Sequence, residues 1–409
     1  MIRRMTVLLI SLLGSPLLWA QPAPTTAAAG QIQVRSDFPG GSAIVQSIDQ
    51  ATRTIRIAPA GTPERGFVCW WYFKLEGVEI GTDLTIEIAA TGWGRPDRAQ
   101  YSYDNRTWFQ TEPGQMKSRT LEIYHHKAQS STVWFAWGPP FVLRDANDLI
   151  DDICKQSPYA TKFELARTRG GRPVPAVNIR QPSEIADADR FGVWVQARHH
   201  AWESGSSWVA RGFIQWLISQ DPQAQAMRRS ADIYFVPIMD VDSVETGMGG
   251  KDQKPHDHQF DWGADPIYPE VRAAMRKIGA LQAAGRFHVF VDLHNPGADA
   301  REVLFYTPAK PLLVPERLKH QDAFLELAKQ EMSGDMAFTG KLGPQGDTYT
   351  PAADPSAECW VANNGGLHVV SLTMETPWNT PSSTQDGYQK KGEQLGRTVG
   401  RYLRGPVRP

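Results

Sequence analysis

The segment Phe191–Ala197 (FGVWVQA), continued by residues 198–207 (RHHAWESGSS), decides the fold of this chain. Its first seven residues are almost all apolar and predict a buried strand, and the amphipathic run at residues 208–218 predicts a helix shortly after it. A buried strand that leads through a loop into a helix is typical of an open α/β sheet, which binds ligands beyond the carboxyl ends of its strands. We therefore expect His200 and Glu203, which lie on this loop, to belong to a functional site.

His200 and Glu203 offer an imidazole nitrogen and a carboxylate oxygen at a spacing that zinc accepts. A catalytic zinc site needs a third protein ligand and one open coordination position. His294 is the candidate for the third ligand, because it ends a second apolar strand, Phe287–His294 (FHVFVDLH). These three side chains predict a site for one Zn²⁺ ion.

A zinc hydrolase also needs a base that takes a proton from the attacking water. Glu375 ends the apolar run at residues 369–375 (VVSLTME), and Pro377 ends that strand sharply. Because the strand ends of an α/β sheet meet along one edge, we expect Glu375 to share a cleft with His200 and His294.

The composition excludes several classes of partner. The chain has 409 residues, 41% of them hydrophobic, and a formal net charge of −1. Without a basic block it offers no surface for nucleic acid or for an anionic membrane. The three cysteines, Cys69, Cys154 and Cys359, cannot all pair within one chain, so one disulfide at most is possible, and the sequence does not say which. The oligomeric state stays open.

The first residues predict export. Arg3 and Arg4 precede an apolar run at residues 7–19, and Ala20 follows it, which is the pattern of a signal peptide at residues 1–20. The run is too short to span a membrane, and no later segment approaches the roughly 20 apolar residues that a spanning helix needs. We expect a secreted or periplasmic protein without a membrane span.

Two domains follow this segment. Residues 31–143 contain short alternating runs separated by turn residues, which predict an antiparallel β-sandwich. The polar run at residues 144–152 is interpreted as a connector. In residues 150–405 strands alternate with helices, which predicts an α/β domain with a mostly parallel or mixed sheet covered by helices on both faces.

Residues 197–208 (ARHHAWESGSSW) resemble the zinc metallocarboxypeptidase family, in particular its cytosolic-carboxypeptidase-like branch, where a strand ends in His-x-x-Glu. Residues 292–294 (DLH) resemble the segment with the third zinc ligand of that family, and residues 374–375 (ME) resemble its catalytic glutamate. Upstream, residues 70–73 (WWYF) and 135–140 (FAWGPP) resemble the β-domain that precedes the catalytic domain in this branch.

The resemblance implies a role for each matching residue. His200, Glu203 and His294 would hold zinc, and Glu375 would act first as general base and then as general acid. Asp257 stands where the family has a carboxylate behind the first histidine. Tyr349 is the nearest match for the tyrosine that precedes the catalytic glutamate.

The chain departs from the family where a substrate carboxylate would be bound. The family has Asn-Arg before a tryptophan, and this chain has Gln259 and Phe260. A phenyl ring cannot replace a guanidinium that grips a carboxylate. Gly249 and Gly250 lie in the stretch where a second arginine would polarise the scissile carbonyl. The cations that remain as substrate-binding candidates are Arg198, Lys251, Lys254 and Arg301.

Three functions are consistent with these residues. The first is an exported zinc-dependent hydrolase of the metallocarboxypeptidase type that cleaves an amide bond in a peptide or peptide-like substrate. The second is a zinc amidase, deacylase or esterase whose substrate is a glycan, a cell-wall fragment or another molecule without a terminal carboxylate. The third is a non-catalytic binding protein whose aromatic sandwich is the working surface.

Overall fold

The computed structural model describes residues 30–89, 94–350 and 356–405. The expected signal peptide, residues 1–20, lies outside the described residues. The first domain consists of short strands that bury aromatic and β-branched side chains on one face. These strands are β1 Gln33–Arg35, β2 Ile44–Asp49, β3 Thr54–Ala58, β4 Tyr72–Glu76, β5 Asp83–Ala89, β6 Gln100–Ser102, β7 Phe109–Gln110, β8 Gln115–Ser118, β9 Leu121–Lys127 and β10 Thr132–Ala136.

In the described part of the chain these strands form two five-stranded sheets, ordered β1-β4-β10-β6-β7 and β2-β3-β5-β9-β8. Both sheets contribute side chains to one core, for example Phe73 and Phe135 from the first sheet and Ile57 and Ile86 from the second. The domain is therefore a β-sandwich, as expected. It is antiparallel except for one pair, because β3 and β5 run parallel.

The second domain alternates strands with helices. Its elements are α1 Leu143–Gln156, β11 Ala160–Arg167, β12 Pro173–Ile179, β13 Phe191–Ala197, α2 Ser204–Ile218, α3 Pro222–Ser230, β14 Ala231–Val236, α4 Val241–Glu245, α5 Pro269–Ala283, β15 Phe287–His294, β16 Leu304–Tyr306, α6 Pro315–Glu331, α7 Ala357–Asn364, β17 Val370–Glu375 and α8 Gln385–Arg404.

Seven of these strands, within the described residues, form one mixed sheet ordered β11-β12-β14-β13-β15-β17-β16. The four inner strands run parallel, and the strands at both edges pair antiparallel. Every residue of β13 and of β15 is buried, because helices cover both faces of a largely parallel sheet. The two apolar runs on which the α/β prediction rested have the bounds expected from the sequence.

One sequence-based expectation was wrong. Residues 144–152 are not a connector, because they lie inside helix α1, whose Leu149, Ile150 and Ile153 pack into the core of the second domain. Charged residues on the exposed face of this helix conceal its periodicity in a polar sequence. Cys69, Cys154 and Cys359 are all free, so the one disulfide that the cysteine count allows is not formed.

The two domains meet through tryptophan side chains. Trp137 of the first domain lies 4.1 Å from Trp378 and 5.0 Å from Trp202 of the second domain, measured between ring centroids. Trp202 follows His200 closely, so this aromatic contact places the sandwich beside the expected site. None of the helices in the described segments combines the length and apolar character that crossing a membrane requires.

Candidate metal centre

Three parallel strands bring the expected site residues to one edge of the sheet. The loop after β13 carries His200 and Glu203, and β15, the neighbour of β13, ends at His294. In the register of β15 with β17, His294 is paired with Glu375. Residues that are far apart in the chain therefore meet where the carboxyl ends of adjacent strands come together.

His200, Glu203 and His294 form a compact group of three. Glu203 lies between the two rings, with Oε1 2.8 Å from His200 Nδ1 and Oε2 2.8 Å from His294 Nδ1. The two Nδ1 atoms are 3.2 Å apart. All three side chains are at most 2% exposed. Burial raises the pKa of Glu203, but the adjacent His200 and His294 outweigh it and hold that pKa below the ordinary glutamate value.

This donor set fits a zinc ion. Two imidazole nitrogens and a carboxylate converge on one point, and the ligand atoms of all three residues lie within 4.8 Å of one another. Each histidine also has a carboxylate at its far side: His200 Nε2 lies 3.4 Å from Asp257 Oδ2, and His294 Nε2 lies 3.2 Å from Asp292 Oδ2. Carboxylates in this position orient metal-bound imidazoles.

Asp257 lies where its expected role requires it, and its own position is held by the backbone. Its side chain accepts hydrogen bonds from the backbone N–H groups of Asp252, Gln259 and Phe260, at 3.1, 2.9 and 3.3 Å. Although burial raises its pKa, contact with His200 lowers it, so Asp257 is held as an anion behind that ring.

Asn295 is a positioning residue that the sequence reasoning missed. Its backbone N–H lies 3.2 Å from Glu203 Oε2, and its side-chain oxygen accepts from Ser206 N at 3.0 Å, in the first turn of α2. Its side-chain nitrogen donates to Thr376 O, just beyond β17. Asn295 thus connects the loop of Glu203 to the strand that carries Glu375. Its position directly after His294 was the signal that could have identified it.

Glu375 opens onto a cleft of about 420 Å³. Its Oε2 atom has no hydrogen-bond partner among the described residues. Burial and the nearby negative charge of Glu203 raise the pKa of Glu375 above the ordinary glutamate value, and His294 and Lys251 oppose that rise. A carboxylate that is free on one side and has a raised pKa is suited to accept and return a proton.

Both domains line this cleft. In addition to Glu203 and Glu375, the described lining consists of Phe67, Cys69, Gly94, Trp137, Trp202, Lys251, Asp252, Asn295, Pro296, Gly297, Ala298, Tyr306 and Trp378. Lys251 is the one cation in this described lining. The sandwich contributes Phe67, Cys69, Gly94 and Trp137, so it forms one wall of the site.

The structure corrects the assignment of Arg198 as a substrate-binding residue. This side chain is 2% exposed and donates hydrogen bonds to the backbone oxygens of Phe141 and Ala201. Its backbone has a φ of 66°, in the left-handed region that non-glycine residues rarely adopt. Arg198 therefore stabilises the loop that carries His200 and is not accessible to a substrate.

Gln259, Phe260, Arg301 and Tyr349 are absent from the described lining of the cleft, and their substrate contacts stay predictions. Phe260 is 43% exposed, and Arg301 donates to the backbone oxygens of Ala298 and Ala300. Tyr306 is the tyrosine that does line the cleft. It ends β16, which pairs with the strand of Glu375, and burial together with Glu375 raises its pKa.

Backbone packing excludes a side chain at the positions where the family arginine was sought. A Cβ atom at Gly249 would lie 2.0 Å from Phe67 O, and one at Gly250 would lie 2.7 Å from Ala201 N. Gly250 also has a φ of 81°. An arginine at either position would require the backbone to move, which leaves Lys251 as the cation of this segment at the cleft.

Comparisons with known protein families agree with this geometry. Residues 34–137 match the family described as cytosolic carboxypeptidase N-terminal domain, and residues 146–256 match the family described as zinc carboxypeptidase. The second range includes His200 and Glu203 and ends before His294 and Glu375.

Curated relatives and solved structures show the same likeness. Cytosolic carboxypeptidase 1 of Danio rerio is 26% identical over 186 residues, which cover 42% of this chain and 16% of the relative. Cytosolic carboxypeptidase 2 of Mus musculus is 26% identical over 185 residues, covering 43% and 21%. The chain thus matches only about a fifth of the length of these relatives or less.

Among solved structures, a metallo-carboxypeptidase from Burkholderia cenocepacia aligns with a TM-score of 0.78 at 22% identity, covering 91% of this chain and 98% of the other. A metallo-carboxypeptidase from Pseudomonas aeruginosa aligns with a TM-score of 0.74 at 20% identity, covering 91% and 99%. At these identities the likeness establishes a shared fold over both domains.

Proposed function

We propose that this chain, which matches the zinc carboxypeptidase family over residues 146–256 and the cytosolic carboxypeptidase N-terminal domain over residues 34–137, is a zinc-dependent peptidase that removes residues from the carboxyl end of a peptide. The observation that supports the proposal is the convergence of His200, Glu203 and His294 beside an open cleft, with Glu375 paired to His294 across two strands. A ligand set without a base, or a base without a cleft, would not support hydrolysis.

The residues divide the chemical work among them. Zinc, when bound, supplies a Lewis acid that polarises the scissile carbonyl and makes a water easier to deprotonate. Glu375 Oε2 takes the proton of the attacking water and returns it to the leaving nitrogen. Tyr306 lies at the same wall of the cleft and offers its hydroxyl to the substrate backbone. The tryptophan contacts between the domains exclude water from one side of the site.

Lys251 is proposed to bind the terminal carboxylate. With Arg198 buried beneath the loop, this ammonium is the positive charge that the described lining offers to a substrate anion. The other charged residues of the described lining, Glu203, Asp252 and Glu375, are carboxylates and cannot attract a substrate carboxylate. An ammonium binds a carboxylate as a point charge, so it discriminates less by geometry than a guanidinium does.

Replacement of Lys251 tests this assignment. We expect Lys251→Gln to lower kcat/KM for peptides with a free carboxyl end by about 10- to 100-fold, because a hydrogen bond to a charged group contributes about 1.5–3 kcal/mol. Lys254→Gln is the matched control, since Lys254 is exposed, lies outside the described lining, and should leave kcat/KM unchanged. The assay compares each peptide with its C-terminally amidated form, which the parent enzyme should cleave poorly.

The same assay decides against the proposal if the zinc-loaded parent hydrolyses free and amidated peptides equally well and Lys251→Gln has no effect. That result would favour the zinc amidase, deacylase or esterase with a substrate that lacks a terminal carboxylate. The observation in favour of this second function is that the described lining contains no guanidinium group. If the zinc-loaded protein hydrolyses neither peptides nor esters nor acylated sugars, the result favours the third function, a non-catalytic binding protein.

Export to a secreted or periplasmic location is also proposed. It is supported by Arg3 and Arg4 before an apolar run that ends near Ala20. Expression of the full chain in a bacterium should yield a protein in the periplasmic or culture fraction whose amino terminus, read by mass spectrometry, begins after Ala20. Recovery of the intact chain in the cytoplasmic fraction would contradict export, and it would agree with the names of the cytosolic relatives.

A further inference from the structure

We infer that His199, the histidine adjacent to the expected zinc ligand His200, is a positioning residue that orients His294 through Asp292. The inference depends on the zinc site of the proposed function and goes beyond it, because it assigns a role to a histidine that binds neither metal nor substrate.

A chain of three buried groups connects His199 to the metal site. His199 Nδ1 lies 2.6 Å from Asp292 Oδ2, and the same Oδ2 atom lies 3.2 Å from His294 Nε2. All three side chains are at most 1% exposed. The other oxygen of Asp292, Oδ1, has no hydrogen-bond partner among the described residues, so this carboxylate acts through Oδ2 alone.

The partners of the other ring nitrogen fix the tautomer of His199. Trp262 Nε1 donates to His199 Nε2 at 3.4 Å, and Gln196 Nε2 lies 3.4 Å from the same atom. Because an indole N–H can only donate, His199 Nε2 must be an acceptor. The proton of a neutral His199 is therefore on Nδ1, where it is donated to Asp292.

The orientation of Gln196 supports this assignment. Its side-chain oxygen already accepts a hydrogen bond from Trp194 Nε1 at 2.8 Å. The amide nitrogen of Gln196 is then the atom that faces His199, and it is a donor. Two donors thus point at His199 Nε2, and both require it to be unprotonated.

The hydrogen bond between His199 and Asp292 affects the charge of Asp292 and the orientation of His294 at the metal site. His199 donates a hydrogen bond to Asp292 Oδ2, which keeps Asp292 an anion that faces His294 Nε2. The negative charge of Asp292 favours the tautomer of His294 that carries its proton on Nε2. His294 Nδ1 then keeps its lone pair, on the side of Glu203 and His200. His199 performs for Asp292 the function that three backbone N–H groups perform for Asp257 on the other side of the site.

A second metal ion at His199, Asp292 and His294 is the competing interpretation, because their ligand atoms also lie within 4.8 Å of one another. The shortest distances are similar in the two groups, with 2.6 Å between His199 Nδ1 and Asp292 Oδ2 and 2.8 Å between Glu203 and each histidine of the group of three. Access to the cleft separates them. The group of three reaches the cleft through Glu203, whereas none of His199, Asp292 and His294 belongs to the described lining.

The test measures zinc affinity by competition with a chromophoric chelator, which requires no substrate. We expect His199→Phe to raise the zinc dissociation constant by about 10- to 100-fold, the usual effect of losing a partner behind a metal ligand. His199→Gln keeps a donor for Asp292 and should recover most of the affinity. His288→Phe removes another buried imidazole from the vicinity of the sheet, at the opposite end of β15, and should leave the affinity unchanged.

A double-mutant cycle distinguishes positioning from general stability. If His199 acts through Asp292, then His199→Phe should have little further effect on zinc affinity once Asp292→Asn is present, whereas independent effects would add. The visible spectrum of the Co²⁺-substituted protein should shift in His199→Phe and return in His199→Gln, because it reports the ligand geometry.

Additive effects in the cycle, or parent-like affinity in a folded His199→Phe, would overturn the inference. If His199→Phe does not fold, then His199→Ala, which also removes the donor for Asp292, replaces it in the cycle and decides by the same criteria. A stoichiometry of two zinc ions per chain in the parent would favour the competing metal site. Loss of peptidase activity alone would bear on the proposed function and not on this inference, because the affinity measurements are made without substrate.

Discussion

Glu375→Gln is expected to lower kcat by about 10²- to 10⁴-fold while the protein keeps one bound zinc ion. Gln has nearly the same shape as Glu but cannot accept a proton at neutral pH. Since Glu375 Oε2 has no partner among the described residues, no structural hydrogen bond of that atom is lost in the exchange. Steady-state kinetics on a free-carboxyl peptide, together with elemental analysis of zinc, measure both quantities.

Glu358→Gln is the matched control for this experiment. Glu358 is also a buried carboxylate next to β17, where it accepts hydrogen bonds from Ser356 Oγ at 2.9 Å and Thr373 Oγ1 at 3.2 Å. A glutamine oxygen can keep one of these bonds, and Glu358 lies outside the described lining of the cleft. Activity close to that of the parent is expected for Glu358→Gln. Equal activity of Glu375→Gln and the parent would end the assignment of Glu375 as the base.

His294→Ala is expected to weaken zinc binding by more than about 100-fold, beyond the effect of losing an outer partner, and to reduce hydrolysis below detection. The substitution removes one of three converging donors and leaves Glu203 Oε2 without the imidazole that lies 2.8 Å away. Two ligands on one loop do not hold a catalytic zinc with an open position. Removal of metal from the parent with a chelator should have the same effect on activity, and one equivalent of zinc should restore it.

The control for this experiment is His288→Phe, which changes a histidine of the same strand, β15, without touching the group of three. It should keep its zinc and its activity. Parent-like zinc content in His294→Ala would show that the ion is held elsewhere. Activity that survives complete removal of metal would contradict the zinc-dependent reaction itself.

Much of the architecture could be predicted because it depends on local patterns. Strands β13 and β15 are uninterrupted apolar runs, which in an α/β chain are buried between helices, and their bounds follow directly. Helix α1 was missed because its buried residues are separated by a dense charged face. The edge strand β11 was missed because only one of its eight residues is buried, so it carries no clear apolar pattern. Strand β12 (PVPAVNI) was missed because its two prolines argue against a strand inside a sheet.

The sequence could predict only those site residues that follow or end a strand, or that have a ligand spacing. His200, Glu203, His294 and Glu375 each follow or end an apolar strand, so their convergence follows from the parallel sheet. A strand end alone does not decide whether His199 or His200 faces the metal site, because the side chains of neighbouring residues point in different directions. Arg198 illustrates the same limit, because its cationic side chain next to the site is bound to two backbone oxygens beneath the loop.

The sequence by itself determined strands β13 and β15, the two domains and the four residues whose types are suited to a hydrolytic zinc site, because period, burial preference and ligand chemistry are properties of the residues themselves. Only the tertiary structure decided that Lys251 and Tyr306 face the cleft, that Phe260 does not, and that the first domain forms a wall of the site. The physical reason is that the direction and the burial of a side chain depend on contacts with segments remote in the chain, such as the packing of Phe67 against Gly249, which no local pattern records.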